Sequence, residues 1–397
     1  SQLLPRIIKN TYRQAHEGKA GGKKVVWSSG IAPVELFHAM GLVPVFPENY
    51  AAACGVKQLG LELCGWAENA GYSSDLCSYF RSDLGHILSG CTYLGGLPEP
   101  DMVVATRCLC TAHVKWLEVI ARHFNCPMFV WDLPSGEVDA ALQPAHHRLA
   151  YAVGQLHELI GFLEQYNGEK LDWDRLREAI RLGDRAAELW IAINESRKAR
   201  PVPISTTDML GNLFVLVVLS GTSTAVDYLG LVAGEVAERA LRGIGVIPEE
   251  KFRLIWDVMP LWYNMALFDR FQRDGAVFAL ELYNYGRVWG QRLDPARPLE
   301  SLARRHLTHI FNIDGPSRLR MVEEFIREFH IHGYVNHVIR SCSLLSTGTY
   351  HLANLVQQKL QVPALVINCD HCDPRAYSPG PVETRIQAFL EILAASV

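Results

Sequence analysis

Two parallel-sheet α/β domains joined by a helical segment is the fold class that this 397-residue sequence predicts. Three observations carry it. Short apolar runs of strand length alternate with amphipathic runs of helix length toward both ends of the chain, the signature of parallel sheets covered by helices. Between them, from about residue 144 to 242, the pattern is helical almost throughout. The length is large for one hydrophobic core and natural for two or three domains. The expected divisions are 1–143, 144–250 and 251–397, with both outer parts Rossmann-like or flavodoxin-like.

The elements follow in chain order. KKVVWSSG reads as a strand, APVELFHAMG as a helix and LVPVFPEN as a second strand, together a βαβ unit. PDMVVAT is the next strand, TAHVKWLEVIARHF its helix, and PMFVWDLPS the strand after it. The middle holds the helices HHRLAYAVGQLHELIGFLEQY and DWDRLREAIRLGDRAAELWIAI; Asp172 is placed to cap the second, and Gly183 is tolerated inside it. A second α/β pattern starts at KFRLIWDVMP, continues through GAVFALELY and HGYVNHVIRS, and after a helix ends with PALVINCD and TRIQAFLEIL.

Composition narrows the function classes. A hydrophobic share of 49% with 20% charged residues is ordinary for a globular protein and excludes disorder. With 42 acidic and 38 basic residues the formal charge is -4, which argues against a nucleic-acid or polybasic membrane partner, a local patch aside. No run approaches the ~20 apolar residues that span a bilayer; LFVLVVL at 213–219 has the length of a buried helix. The start, SQLLPRIIKNTYRQAHEGKAGGKK, lacks the apolar core of a signal peptide, so a soluble, cytoplasmic protein is expected.

Ten cysteines then need a reason: 54, 64, 77, 91, 108, 110, 126, 342, 369 and 372. A cytosolic chain keeps them reduced. Cys126, before Pro127 on an apolar run, reads as a core residue. Others are placed alike in the two halves: DMVVAT runs into RCLC and then a helix, and GYVNHVIR runs into SCS and then a helix. Each half thus sets a cysteine past the carboxyl end of a strand, where open α/β sheets bind ligands. Free N–H groups and the helix dipole there favour a thiolate. Cys110 and Cys342 are the paired candidates, and Cys77 in SSDLCSYFRSDLG is the third. Thiols spread in this way suit an iron–sulfur cluster better than zinc, and three ligands leave one iron open.

Other motifs carry less. CDHC, 369–372, is half a zinc site or a redox pair, but no second pair lies near it and the loop-like DPRAYSPGP follows; a structural role leads, with metal binding the alternative. No GxxxxGK[ST] occurs, and no GxGxxG opens a helix. GTSTA, 221–225, follows a helix-like run, so it reads as a helix cap rather than a nucleophilic serine.

The segments APVELFHAMGLVPV, GYSSDLCSYFRSDLG, PDMVVATRCLCTAHVKWLE with FVWDLPS, RSCS, and NCDHCDPRAYSPGPVETRIQAFLE occur in that order between about residue 24 and the C-terminus. Together with KFRLIWDVMPLWYN and DGAVFALELY, this set resembles the benzoyl-CoA reductase and 2-hydroxyacyl-CoA dehydratase family. The resemblance implies two flavodoxin-like domains with helices between them, a paralogous cluster-bearing partner subunit, and a [4Fe-4S] cluster on three cysteines matching Cys77, Cys110 and Cys342. The family pattern puts a ligand five residues before a lysine, the spacing of Cys110 to Lys115, which leaves Cys108 as the backup.

The implied chemistry is low-potential one-electron reduction of an acyl-CoA. A separate ATP-hydrolysing iron–sulfur activator, fed by reduced ferredoxin, supplies the electron; the missing P-loop agrees with that division. In the reductase branch benzoyl-CoA becomes a cyclic diene, and in the dehydratase branch a 2-hydroxyacyl-CoA loses water through a ketyl radical. GYSSDLCSYFRSDLG is closer to reductase chains, and Cys110-Thr111 replaces the Cys-Asp pair common in dehydratases, so the reductase is the leading expectation. Two further possibilities within the family are a double-cubane reductase, with Cys54, Cys64, Cys91 and Cys108 as extra thiols, and a purely electron-carrying paralogue.

Further site residues are candidates of two kinds. His86 in LGHIL is a catalytic candidate as proton donor, with a structural histidine as its plain alternative, and Glu48 in FPENY is a catalytic candidate at a strand end that could meet the acyl group, with a turn position as its alternative. Ser28 and Ser29 lie at a strand end and could meet the acyl group. Arg81 and Asp83 either support the cluster or face solvent. The nine tryptophans line a pocket or fill the core. SPGPVETR carries Pro381 where relatives often have glutamine, so no substrate contact is assigned there.

Overall fold

The computed structural model describes residues 3–396, apart from 109, 140, 286–288 and 290. Its strands are β1 (Val25–Ser28), β2 (Val43–Val45), β3 (Met102–Thr106), β4 (Met128–Trp131), β5 (Phe252–Asp257), β6 (Ala276–Glu281), β7 (Gly333–Ile339) and β8 (Ala364–Cys369). They form two four-stranded, all-parallel sheets, ordered β2-β1-β3-β4 and β6-β5-β7-β8. The same winding occurs twice, as the paired sequence patterns predict. In each sheet the order reverses beside the first strand, between β1 and β3 and between β5 and β7, and a crevice opens there at the carboxyl ends.

Burial explains the strand sequences. VVWS, MVVAT and GYVNHVI are buried at every position, because helices cover both faces of a parallel sheet. One expected strand is shorter than its apolar run: LVPVFPEN leaves the sheet after Val45, since Pro47, which has no N–H to give a ladder, starts the helix Pro47–Val56 instead.

The middle of the chain is four helices, His146–Asn167, Trp173–Ser196, Thr206–Leu219 and Ser223–Leu241. Asp172 caps the second by accepting the N–H groups of Asp174 and Arg175. Thr222 of GTSTA caps the fourth by accepting that of Ala225. Gly183 has a packing reason to be glycine, since a Cβ there would stand 2.8 Å from Glu35 Oε1. No helix among the described residues is long and apolar enough to cross a membrane.

Packing does not follow the three sequence stretches strictly. The core on one face of the first sheet joins Val26, Met102 and Val104 to Leu156 and Leu176 from the middle helices, and to Leu299, Leu302 and Leu307 from the helix Pro298–Leu307. A second core joins Trp27, Val103 and Trp116 of the first sheet region to Val258, Met259 and Ile339 of the second. The carboxyl ends of the two sheets therefore share one apolar interior, and the candidate site lies there.

Candidate active site between the two sheets

Each predicted cysteine stands at a helix N-terminus. Cys110, just past β3, precedes Thr111–His123; Cys342, just past β7, precedes Ser343–Ser346; Cys77, on the long connection from β2 to β3, precedes Ser78–Ser89. Their thiols line one cavity of about 220 Å³. Backbone N–H groups of the following turns pull the thiol pKa values down, Phe80 at Cys77, His113 and Ala112 at Cys110, Leu345 and Leu344 at Cys342, without making a cap hydrogen bond to the sulfur. Burial nevertheless pushes all three thiols up, Cys342 to about 12; the neighbouring cysteines add to the rise at Cys77 and Cys342, and Glu48 adds to it at Cys110. The backbone donors favour the thiolate forms and burial disfavours them.

That donor set bears on which group fits. Among the described residues no three His, Cys, Asp or Glu are gathered closely enough to hold a single metal ion. Three soft sulfurs spread around a wide cavity match a polynuclear iron–sulfur core instead. Cys108 is buried in the core of the first sheet and does not line the cavity, and neither do Cys54, Cys64 or Cys91. Cys369 and Cys372 fall in two different apolar cores, and Cys372 Sγ donates to the carbonyl of Ala51 at 3.5 Å.

What CDHC brings to the site is its middle. His371 lines the cavity, with Nε2 3.9 Å from Cys77 Sγ and 3.2 Å from Ser78 Oγ, and its ring stands edge-on to Tyr79 at 4.1 Å. Asp370 bonds to the residues flanking two of the cysteines. Reading CDHC as a pair of thiols hides this role, although its place at the carboxyl end of β8 is the signal that could have exposed it.

The remaining candidates separate clearly. Glu48 lines the cavity; Oε2 accepts the N–H of Gly30 at 2.5 Å, and Oε1 lies 2.7 Å from His113 Nε2, though not aligned for a hydrogen bond. His113, which no sequence motif singles out, sits in the first turn of the Cys110 helix and is buried at the cavity wall. His86 lies outside the cavity lining. Nine residues beyond Cys77 is two and a half helical turns, which puts it on the opposite face, where its ring packs 4.6 Å from Tyr50 and burial lowers its pKa to about 4. Ser28 and Ser29 are also outside the lining; their buried hydroxyls donate to the carbonyls of Val104 (2.7 Å) and Ile31 (2.9 Å).

Arg81 is buried and braces the Cys77 turn. Its Nε donates to Leu76 O at 2.9 Å, while its terminal nitrogen meets Glu68 at 2.5 Å and Asp373 at 2.9 Å. Asp83 accepts the indole N–H of Trp116 at 2.8 Å, and burial raises its pKa to about 7. Of the tryptophans, Trp116, Trp262 and Trp289 line the cavity, whereas Trp27, Trp131, Trp190 and Trp256 are core. Tyr79, Tyr283, Phe214 and Phe311 add further rings to an apolar wall that also holds Leu210, Val217 and Leu345.

The family described as 2-hydroxyglutaryl-CoA dehydratase, D-component, matches residues 30–393, nearly the whole chain. The chain belongs to this family. A benzoyl-CoA reductase subunit of Thauera aromatica is 30% identical over 98% of this chain and 93% of its own length. The (R)-phenyllactyl-CoA dehydratase alpha subunit of Clostridium sporogenes is 28% identical over 99% and 95%. The (R)-2-hydroxyglutaryl-CoA dehydratase alpha subunit of Acidaminococcus fermentans is 23% identical over 100% and 97%. These relatives are matched nearly end to end, and by name they are reductase or dehydratase subunits acting on CoA thioesters.

Proposed function

We propose that this chain is the iron–sulfur subunit of an ATP-dependent reductase of the benzoyl-CoA type, holding a [4Fe-4S] cluster through Cys77, Cys110 and Cys342. One observation carries the reading: three cysteines at helix N-termini, from separate parts of the chain, meet at a single cavity whose other walls are largely apolar, with aromatic and aliphatic side chains together. When bound, the cluster supplies one-electron chemistry at low potential. The rest falls to side chains. Tyr79, Trp116, Trp262 and Tyr283 exclude water and offer ring faces to an aromatic acyl group. Glu48, held by the Gly30 N–H, is the group placed to hold or deliver a proton at the acyl moiety, with His113 beside it.

The partners in this reading are a paralogous cluster-bearing subunit, an ATP-hydrolysing activator with reduced ferredoxin upstream, and the acyl-CoA, in the cytoplasm. The second reading is a 2-hydroxyacyl-CoA dehydratase; it is favoured by the 28% and 23% identity to dehydratase alpha subunits, in the same range as the reductase relative. The test is anaerobic purification with iron, sulfide and EPR analysis, followed by turnover of benzoyl-CoA and of phenyllactyl-CoA with an activator and a paralogous subunit present. Consumption of benzoyl-CoA with formation of a cyclic dienoyl-CoA, its thioester retained, is the expected result. Dehydration of phenyllactyl-CoA alone would select the second reading, and a colourless, iron-free protein with full activity would refute both.

A further inference from the structure

Asp370 follows β8 directly and is 2% exposed. Its carboxylate accepts five hydrogen bonds. Oδ1 takes Ser78 Oγ at 2.5 Å and the N–H groups of Cys372 at 3.0 Å and Asp373 at 3.1 Å. Oδ2 takes Ser341 Oγ at 2.5 Å and the Ser341 N–H at 3.3 Å. Ser341 Oγ itself accepts the N–H of Ser78 at 3.0 Å, across 263 residues of sequence. Ser78 follows Cys77 and Ser341 precedes Cys342, so one carboxylate closes a ring through the neighbours of two of the three cysteines.

The charge in this ring is not matched by a cation. All five donors are neutral, and among the described residues no lysine or arginine is paired with Asp370; the His371 Nδ1 lies 3.6 Å from Oδ1. Arg81, on the adjacent helix, is already matched by Glu68 and Asp373. Burying an anion without a counter-ion is costly, and chains retain such a group where it does something else.

We infer that Asp370 is a positioning residue for the cluster: it fixes the spacing of Cys77 and Cys342 and leaves beside them a fixed negative charge that makes the bound cluster harder to reduce. The inference rests on the three-cysteine reading above. A nearby fixed anion opposes the arrival of an electron, more strongly in a dry interior than in water, and the net charge around a cluster is one of the determinants of its potential. The same carboxylate that aligns two ligands therefore also keeps the potential low.

The test uses the anaerobically prepared full-length protein as wild type, D370N and S341A, with folding checked by circular dichroism. D370N keeps the shape and removes the charge; it should titrate, by EPR-monitored reduction, at a less negative midpoint potential than wild type and show altered g values. S341A keeps the charge and opens the ring; it should release iron to a chelator several-fold faster. A folded D370N with the wild-type midpoint overturns the charge role, and S341A releasing iron at the wild-type rate overturns the positioning role. Should D370N not fold, the S341A release rate decides. A wild-type protein without iron would instead overturn the cluster reading itself.

Discussion

Glu35→Gln removes the charge that fastens the short helix Val34–Ala39, which follows β1, to the helix Pro298–Leu307. Glu35 is fully buried and accepts both terminal nitrogens of Arg305, at 2.7 and 2.6 Å, with Ser220 Oγ adding a third bond at 2.6 Å. Burial by itself would raise the carboxyl pKa; the charge and hydrogen bonds of Arg305, with that of Ser220, outweigh it and hold the group at about 2, against 4.5 in the open chain. The gap corresponds to roughly 3 kcal/mol of folding stability. Because the folded pKa is depressed, that stability is fully present above about pH 4.5 and is lost as the pH falls toward 2. Glutamine cannot ionise, so the variant should be about 3 kcal/mol less stable than wild type at pH 7, with the difference shrinking as the pH is lowered from 4.5 to 3. Urea denaturation followed by tryptophan fluorescence at pH 7 and pH 3 measures it. Arg305→Met, which leaves the anion buried with only Ser220, should cost more, about 3–5 kcal/mol. A cost below about 1 kcal/mol for Glu35→Gln at pH 7, or the same cost at pH 3, would refute the reasoning.

Further outcomes are expected at the site and around it. Cys110→Ala should lose iron and Cys108→Ala should keep it, because of the two only Cys110 lines the cavity; iron analysis of both decides the ligand. Glu48→Gln should lower turnover by about 100-fold or more while leaving iron content unchanged; equal kcat values would remove Glu48 from the chemistry. Gly85→Ala would bring a Cβ to 1.9 Å from the carbonyl oxygen of Leu63, so the helix that Cys77 opens must shift. A destabilisation of about 1–3 kcal/mol, with lower iron occupancy, is the expected result by denaturation and iron assay. Asp172→Ala should cost about 1 kcal/mol through its lost cap and leave iron untouched.

Sequence patterns reach furthest where the signal is local. Cys110 and Cys342 are legible because an apolar strand ending in a cysteine and running into a helix is a short pattern, and the topology places such ends at the crevice. Asp172 and Thr222 are legible as caps for the same reason, since a cap bonds to residues two or three positions away. Glu48 is visible as a strand-end carboxylate, but its neighbour His113 is not, because only the fold brings the helix Thr111–His123 against the start of Pro47–Val56. For His86 the sequence offers proximity to Cys77 without saying which face of the helix each occupies.

By itself, then, the sequence determined the alternation of strands and helices, the doubled pattern of the two halves, and the cysteines that end strands, all of which depend on period, burial and capping over a few residues. Only the tertiary structure decided what meets what across the chain. It placed the helix Pro298–Leu307 in the core of the first sheet, gathered three cysteines around one apolar cavity, and turned Asp370 from a residue inside a CxxC motif into the joint between the neighbours of two of them. The reason is physical. Contacts such as Ser78 to Ser341 arise from how two separately specified sheets pack their carboxyl ends together, and no short-range pattern encodes that geometry.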